Sequence, residues 1–346
     1  MTTTQAGPVA DAPQASPPAQ ARRRGLGGRL LDQLERFGLV VLLIAVALFF
    51  TFLPATSAVF PTSANLRNVA ANESILVVVA LAALVPLVAE RFDLSVGATV
   101  GLAAIVTGKL LTSGAAPTLV AILAGVLVGA LVGLVNGIVI AHYNASSLVI
   151  TLGMATLLQG VGSYLTGDTT LLGMPQSLLD FGNLQWLGIP RPVWLFVLLA
   201  LAIAFVLGMT VFGRRLLAIG SNEAAARLVG MPVSRTVLLA FVVSGALAGV
   251  AGILVLARTG GASAGVGAGY TLPAVAAIFL GSTTIRPGRF TVAGTLVGVF
   301  FVAISVNGLT LAGAQDWVDP VFNGGAVVLA VAAAAILAKR RLGSAR

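Results

Sequence analysis

The sequence predicts an all-α protein that crosses a membrane about ten times. Of its 346 residues, 58% are hydrophobic and only 9% are charged, whereas soluble domains carry about 25% charged residues. The apolar residues fall into blocks close to the ~20 residues that a helix needs to cross a ~30 Å hydrocarbon layer. Most Lys and Arg residues lie on alternate connections between these blocks, which is typical of cytoplasmic loops.

Two segments precede the first apolar block. Residues 1–21 are rich in Ala, Pro, Gln and Thr and are predicted to form a disordered cytoplasmic tail. Residues 22–36 are basic and are predicted to form an amphipathic segment on the inner membrane surface. The leucines that share one face of this segment are Leu26, Leu30, Leu31 and Leu34.

The transmembrane domain is predicted over 37–338, followed by a basic cytoplasmic tail over 339–346. We place spans at 37–54, 68–89, 94–112, 117–141, 147–166, 192–212, 236–257, 271–285, 290–311 and 318–338. The second and third spans are separated only by AERFDLSVG, and the eighth is short. A broken or re-entrant helix is therefore an alternative at both places.

The basic residues orient the chain. With ten spans, sixteen of the 20 Lys and Arg residues fall on the side that carries both termini, so that side is predicted to be cytoplasmic. The opposite side or its edge carries Arg67, Lys109, Arg191 and Arg258. The net charge of +9 is accounted for by this distribution and does not indicate a nucleic-acid partner.

Short internal matches suggest a repeat. Ala103-Ala104-Ile105 recurs as Ala276-Ala277-Ile278, and Val135-Asn136-Gly137 recurs as Val306-Asn307-Gly308. Two blocks of four spans, about 66–166 and 236–338, would lie five spans apart and so in opposite orientations, as in the inverted repeats of many transporters. Ala-rich sequence also produces such matches by chance.

The sequence offers no catalytic or metal-binding pattern. Gly108-Lys109 resembles a fragment of a phosphate-binding loop, but Ala103 stands at the place of its first glycine and Leu110 at the place of its hydroxyl residue. Cysteine is absent, and the single histidine, His142, falls at a span end, where a surface or interface role is expected. We therefore expect a protein that is not an enzyme and has no cofactor or metal of its own.

A few polar residues fall within the predicted spans. Glu73 is the one carboxylate among them, and such a residue usually faces the bundle interior or a pathway. The alternative is a position near the outer interface, paired with Arg67 or Asn72. The candidate translocation pathway is Asn72, Glu73, Asn136, Gln159 and Asn307. Neutral polar groups, among them Ser163, Ser244 and Asn323, also commonly join one helix to another.

The cytoplasmic loop 213–235 contains a short predicted helix. Asn222 can cap it, Glu223 and Arg227 have the spacing of an ion pair, and Gly230 and Pro232 end it. A helix of about seven residues is marginal alone, so we expect it to pack against something through its apolar residues. Those residues are Ala224, Ala225, Leu228 and Val229. A surface helix that rests on its own bundle and a docking site for a separate ATPase are equally compatible with this pattern.

The sequence resembles the permease subunits of bacterial ATP-binding cassette (ABC) sugar importers of the ribose and xylose type. The resemblance rests first on the D-L-S-V-G motif of Asp93, Leu94, Ser95, Val96 and Gly97. Further similar motifs are Ala218-Ile219-Gly220, Asn222-Glu223-Ala224-Ala225, Arg227-Leu228, Gly267-Ala268-Gly269-Tyr270, Ala276-Ala277 and Asn307-Gly308-Leu309.

The resemblance implies a function and a set of partners. Asn222 to Gly230 would be the coupling helix received by an ATPase subunit, with Asn222, Glu223, Ala224, Ala225, Arg227, Leu228 and Gly230 as its coupling residues. The partners implied are that ATPase, which binds the ATP, an extracytoplasmic solute-binding protein, a second permease copy, a monosaccharide and the lipid of the bacterial inner membrane. A permease for branched-chain amino acids or another small polar solute, and a standalone secondary carrier that uses Glu73, are the alternatives.

The chain departs from the family pattern at three places. Family members commonly carry Gly or Gly-Glu just before the D-L-S-V-G motif, where this chain has Glu90-Arg91-Phe92. After Tyr270 a Glu is common, whereas Thr271 follows here, and a Gly-rich stretch is replaced by residues 282–287.

Overall fold

The computed structural model describes residues 26–315, 317–318, 320–326, 328–329 and 332, with side chains from Phe37 onward. The longer helices among these residues are α1 (Leu26–Phe52), α2 (Ser63–Leu87), α3 (Val96–Thr112), α4 (Thr118–His142), α5 (Ser147–Thr166), α7 (Arg191–Met209), α10 (Val233–Thr259), α11 (Ala268–Gly281) and α12 (Val292–Leu311). The shorter elements are α6 (Gln176–Asn183), β1 (Gln185–Trp186), β2 (Ile189–Pro190), α8 (Val211–Ser221) and α9 (Glu223–Leu228).

The all-α membrane architecture is confirmed at a coarse level. Among the described residues, six helices are long and apolar enough to cross a membrane: α2, α4, α5, α7, α10 and α12. Three shorter apolar helices are Phe37–Phe52, α3 and α11. These nine correspond to the first nine predicted spans, with boundaries shifted by a few residues.

Several predicted segments lie wholly or partly outside the described residues. Residues 1–21 and 339–346 are outside them, and 22–25 likewise. The helix α1 passes without a break through the predicted boundary between 36 and 37. Of the tenth predicted span, residues 318, 320–326, 328–329 and 332 are helical, so this span stays a prediction.

The connection between α5 and α7 contains structure that the apolar pattern did not predict. The helix α6 is followed by a two-residue antiparallel hairpin, in which Gln185 pairs with Pro190 and Trp186 with Ile189. Leu187 and Gly188 form the turn with positive φ angles. We call the end of the bundle that carries this part of the chain and Arg258 the hairpin end.

The helices α2 and α10 form the centre of the bundle. From Ile75 to Val85 every residue of α2 is buried, because the helix is apolar on all sides and is packed by other helices on all sides. Helix α10 contacts α2, α3 and α4, and Phe241 of α10 is fully buried. By contrast, α4, α5 and α7 leave many large apolar side chains exposed, as expected for surfaces that meet lipid or another subunit.

Small residues allow α4 and α10 to approach closely. A Cβ atom added to Gly129 of α4 would overlap the carbonyl oxygen of Gly245 on α10, and one added to Gly133 would overlap the carbonyl oxygen of Phe241. Close backbone contact of this kind stabilises helix pairs in a membrane, where the apolar lipid removes the hydrophobic driving force for association of helices.

The helices α3 and α11 are short, and each follows a non-helical segment, 88–95 and 260–267. Their first turns touch, because a Cβ atom added to Gly97 would overlap the carbonyl oxygen of Gly267. The broken-helix alternative at the second to third spans and at the eighth span therefore agrees with the observed geometry. We call residues 88–95 the motif loop.

Candidate functional site

The motif loop lies at the same end of the bundle as α9, and Asp93 is its buried charge. Asp93 is 5% exposed. One carboxylate oxygen accepts hydrogen bonds from the backbone N–H and the hydroxyl of Ser95, at 3.1 and 2.6 Å, and the other accepts from Ser244 of α10 at 2.8 Å. Asp93 also precedes the start of α3, where the positive end of the helix dipole favours a carboxylate.

Two opposing effects act on the Asp93 carboxyl. Burial raises its pKa above the ordinary value of 3.8, and the hydrogen bonds from Ser95 and Ser244 act in the opposite direction. Burial is the larger effect. All three neighbouring groups are donors, so the arrangement is built to satisfy a carboxylate rather than to use it as a proton donor.

Ser95 extends this network to α4. Its hydroxyl donates to Asp93 and accepts a 2.9 Å hydrogen bond from the side-chain amide of Asn136. Asn136 is 1% exposed, and its Oδ1 has no hydrogen-bond partner among the described residues. Asn136, predicted as a pathway residue, thus joins α4 to the motif loop.

The motif loop also contacts α5 and α11. The backbone N–H of Phe92 donates to the hydroxyl of Ser147, and that of Leu94 donates to the hydroxyl of Thr151, both at 3.1 Å. The Phe92 ring stacks on Phe279 of α11, with ring centroids 6.1 Å apart. Consecutive residues of one loop therefore contact four different helices.

Arg91 joins the motif loop to α9. Its guanidinium lies 2.5 Å from one carboxylate oxygen of Glu223. The other oxygen of Glu223 accepts from Arg227 at 2.7 Å, as the sequence spacing predicted. Glu223 is thus shared between an arginine of its own helix and one 132 residues earlier in the chain.

The local structure of α9 agrees with its sequence prediction. Asn222 accepts a 2.9 Å hydrogen bond from the backbone N–H of Ala225. At the other end Gly230 has a φ of +75°, its N–H donates to the carbonyl of Arg227, and the N–H of Met231 donates to the carbonyl of Ala226. This pair of bonds is the Schellman arrangement that ends many helices.

The chain's own bundle does not cover the four apolar residues through which α9 was expected to pack, Ala224, Ala225, Leu228 and Val229. Ala226 is the residue of α9 that is buried against the bundle. Leu228 is 89% exposed and Val229 is 71% exposed, and Ala224 and Ala225 are exposed as well. The helix is therefore held by its buried Ala226 and its ion pair, and it presents an apolar surface outward.

A groove of about 710 Å³ lies beside α9. Arg91, Glu223 and Arg227 line one part of it, and His142 and Ser146, around the connection between α4 and α5, line another. His142 is thus a surface residue, in agreement with the role expected for it.

A second polar cluster lies at the hairpin end. The guanidinium of Arg258 donates to the side chain of Asn72 on α2 and, at 3.0 and 3.1 Å, to Gly182 and Asn183. Tyr270, near the start of α11, is close enough to Glu73 and Arg258 to interact electrostatically with both. Asn72 and Glu73 thus both belong to this polar cluster.

The other predicted pathway residues lie elsewhere. Asn307 exchanges side-chain hydrogen bonds of 2.9 and 3.2 Å with Asn65, which joins α12 to α2. Gln159 is exposed on α5, and Asn136 belongs to the motif-loop network. The five predicted residues therefore do not form one site.

Sequence reasoning missed the joint between the motif loop and α9. Arg91 was counted as a basic residue, and Ser147, Thr151 and Ser244 had no assigned partner. The available signal was that Glu90-Arg91-Phe92 stands where family members commonly carry Gly or Gly-Glu before the D-L-S-V-G motif. Within the described residues no group of three or more His, Asp and Glu side chains is arranged to hold a metal ion.

Two of the three departures from the family pattern include a non-glycine residue in a left-handed backbone conformation. Glu90 has a φ of +56°, and Ile285, in the connection between α11 and α12, has a φ of +60°. Such angles are uncommon for residues other than glycine and strained for β-branched ones.

Comparisons of the sequence with known proteins identify a family of transport proteins. Residues 65–332 match the family described as branched-chain amino acid transport system / permease component. The chain is 32% identical over 305 residues to the ribose import permease protein RbsC of Escherichia coli (strain K12), covering 86% of this chain and 92% of that protein. It is 32% identical over 309 residues to the L-arabinose transport system permease protein AraH of the same organism, covering 88% and 90%. It is 29% identical over 299 residues to the D-allose transport system permease protein AlsC of that organism, covering 86% and 91%. No solved structure matched the chain.

Proposed function

The chain belongs to the branched-chain amino acid transport system permease family, and from that membership we propose that it is the membrane subunit of an ATP-driven monosaccharide importer. It would lie in the bacterial inner membrane and carry the sugar inward while a separate ATPase subunit supplies the energy. It would itself have no catalytic site, no cofactor and no metal. ATP would be bound by its partner.

The observation that carries the proposal is the exposed apolar surface of α9. A six-residue helix is too short to be stable alone, yet Leu228 and Val229 face outward. Large apolar side chains beside a charged helix at a loop end are typical of a contact with another protein. A cleft on an ATPase subunit would cover them, so α9 would be the coupling helix, with Asn222, Glu223, Ala224, Ala225, Arg227, Leu228 and Gly230 as its functional residues.

A monosaccharide is the favoured substrate class. The relatives described above are named for ribose, L-arabinose and D-allose, and the D-L-S-V-G motif is the one found in sugar permeases of this kind. The family description names branched-chain amino acids, so a permease for those or for another small polar solute is the second candidate. A solute-binding protein outside the membrane would deliver the substrate in either case.

The polar cluster at the hairpin end supports a pathway along α2, α10 and α11. Glu73, Tyr270 and Arg258 offer a carboxylate, a hydroxyl and a guanidinium group, respectively, near the start of α11, and a sugar needs such hydrogen-bonding partners. Broken helices near a binding site are common in transporters. Asn72 and Glu73 would belong to this pathway, with Asn136 further along it toward the α9 end.

The proposed arrangement has ten spans, two inverted repeats and both termini in the cytoplasm. Helices α2, α3 and α4 have the same order and similar lengths as α10, α11 and α12, which supports the repeat. The exposed apolar faces of α4, α5 and α7 would be covered by lipid and by a second permease copy.

A reconstitution experiment tests the proposal. The chain would be expressed with the ATPase subunit and solute-binding protein encoded beside it, and uptake of labelled ribose, arabinose and allose into proteoliposomes would be measured with and without ATP. We expect ATP-dependent uptake of at least one sugar. Uptake that runs on an ion gradient without ATP, and that Glu73→Gln abolishes, would instead identify a secondary carrier.

The role of α9 is tested in the same system. We expect Leu228→Asp to reduce the amount of ATPase subunit that co-purifies with the chain by about tenfold or more, because burying an unpaired charge at an interface costs several times the ~1.4 kcal/mol that a tenfold change requires. Leu187→Asp is the matched control, since Leu187 is 93% exposed at the hairpin end. Equal co-purification of both variants would show that Leu228 does not contact the ATPase.

A further inference from the structure

We propose that the ion pair between Arg91 and Glu223 is the joint through which α9 moves the motif loop, which makes Arg91 a positioning residue for energy coupling. This rests on the proposed role of α9 as the coupling helix. Nothing in the resemblance or in the relatives' names assigns a role to Arg91. It stands at one of the places where this chain departs from the family pattern.

The geometry of Glu223 supports a mechanical link. Its carboxylate is held by Arg227 on one oxygen and by Arg91 on the other, so its position is fixed by its own helix and by the motif loop together. The side chains of Arg91 and Glu223 are 21% and 30% exposed. A pair this protected is screened less by salt than a fully exposed pair.

The pair of Arg91 and Glu223 joins the side chains of α9 directly to the motif loop. The preceding helix α8 touches the same loop, where a Cβ atom added to Gly220 would overlap the carbonyl oxygen of Val88. Helix α9 packs against α8 and α10, its neighbours in the chain, whereas Arg91 comes from a segment 132 residues away. A displacement of α9 toward or away from the bundle would therefore pull on the motif loop through Arg91.

The contacts of the motif loop would transmit such a displacement to several helices. After Arg91, Phe92 contacts α5 and α11, Asp93 contacts α10, Leu94 contacts α5, and Ser95 contacts α4. These bonds use backbone N–H groups and buried side chains, which leave little freedom between one residue and the next. A shift at Arg91 would thus reach the start of α3, where its first turn touches that of α11.

The alternative is that Arg91 only anchors α9 to the bundle. In that case its loss would weaken ATPase docking in the same way as a change on the outer face of α9. If Arg91 transmits movement, its loss would leave the ATPase subunit bound but insensitive to the solute-binding protein. Binding of the ATPase subunit to the chain and stimulation of its activity by the solute-binding protein must therefore be measured separately.

The test uses the complete complex of permease, ATPase subunit and sugar-loaded binding protein in proteoliposomes. The variants are Arg91→Gln, Arg91→Lys, Glu223→Gln and the double variant Arg91→Gln with Glu223→Gln. The control is Arg235→Gln, because Arg235 is an exposed arginine at the same end, near the start of α10. Co-purification of the ATPase, its basal hydrolysis rate, its stimulation by the loaded binding protein, and sugar uptake are recorded.

We expect Arg91→Gln to keep the ATPase subunit bound while stimulation and uptake fall about tenfold, within the usual range for coupling between sites. Arg91→Lys should retain most of the stimulation, because it keeps the charge. The double variant should lose no more than the worse single variant, since the two residues act through each other. Arg235→Gln should behave as the unmodified chain does.

Three outcomes would overturn the inference: normal stimulation in Arg91→Gln, loss of the bound ATPase subunit in that variant, or additive losses in the double variant. Failure of the proposed function looks different. It would appear in the unmodified complex, as an ATPase subunit that does not co-purify or does not respond to the loaded binding protein.

Discussion

Asp93 can remain buried because each of its carboxylate oxygens receives donors from the surrounding helices. A buried carboxylate without partners costs several kcal/mol, and it is stabilised only when its lone pairs are satisfied. Here Ser95 supplies two donors and Ser244 supplies the third from α10. The charge therefore fixes the start of α3 relative to α10.

Removal of the Ser244 hydroxyl tests this role. We expect Ser244→Ala to destabilise the protein by about 1.5–3 kcal/mol, the usual value of a hydrogen bond to a charged group. It should also raise the pKa of Asp93 further, because one of the hydrogen bonds that oppose the burial effect is lost. Thermal unfolding in detergent measures the first effect. Thr156→Ala, at an exposed position of α5, is the control, and equal loss in both variants would contradict the prediction.

Glu90 carries backbone strain that glycine would relieve. Its φ of +56° is as accessible to Gly as a negative φ but is uncommon for residues with a Cβ atom. Its side chain is exposed, so little packing is lost when it is removed. We expect Glu90→Gly to stabilise the protein by up to about 1 kcal/mol, measured as a higher unfolding temperature.

The matched variant for Glu90 is Glu90→Ala, which removes the same side chain but keeps the Cβ atom. It should show no gain. If both variants shift the unfolding temperature equally, the charge of Glu90 and not its backbone angle is responsible.

At the scale of elements, close packing of backbones stabilises the association of helices, because lipid removes the hydrophobic driving force between them. Gly129 and Gly133 of α4 lie against the backbone of α10 at positions where even a methyl group would overlap a carbonyl oxygen. Neither backbone can move without separating the two helices along their length. The contact between α4 and α10 thus depends on small residues over several turns.

Gly129→Ala tests that dependence. We expect a loss of about 2 kcal/mol or more, since overpacking a well-packed contact costs about 1–3 kcal/mol and here the obstacle is backbone. Gly153→Ala is the control, because Gly153 lies within α5 with nothing near its missing Cβ atom. That change should be neutral or stabilise by up to about 1 kcal/mol through helix propensity. Comparable losses in both variants would show that packing is not the cause.

The elements that could be predicted from the sequence are those with local causes. Apolar length predicted the positions of nine helices, although α1 begins at Leu26, well before its predicted span 37–54. Capping, charge spacing and Gly230 predicted α9. Helix α6 was missed because its amphipathic pattern extends over only eight residues, and the hairpin was missed because strands of two residues show no alternation. The contacts of Arg91, Ser147 and Ser244 were missed because they join segments that lie far apart in the chain, and a single sequence gives no information about such pairs.

At the scale of the whole molecule, the two ends of the bundle differ in charge. The end that carries α9 also carries Arg91, Arg214, Arg215, Arg227, Arg235, Arg286 and Arg289, whereas the hairpin end carries Arg67, Lys109, Arg191 and Arg258. Cytoplasmic loops are the basic ones in membrane proteins. The α9 end is therefore expected to face the cytoplasm, where an ATPase could reach it.

The absence of cysteine from the sequence allows this orientation and the number of spans to be tested together. Single variants Ser113→Cys, Ser221→Cys and Ser344→Cys would be treated in intact cells with a thiol reagent that cannot cross the inner membrane. We expect labelling of Ser113→Cys, beyond the end of α3, and protection of Ser221→Cys, at the end of α8. Ten spans place residue 344 on the cytoplasmic side, so Ser344→Cys should also be protected and should react only after the membrane is permeabilised. Labelling of Ser344→Cys in intact cells would mean that 318–338 does not cross the membrane, and the second predicted repeat would then lack its fourth span.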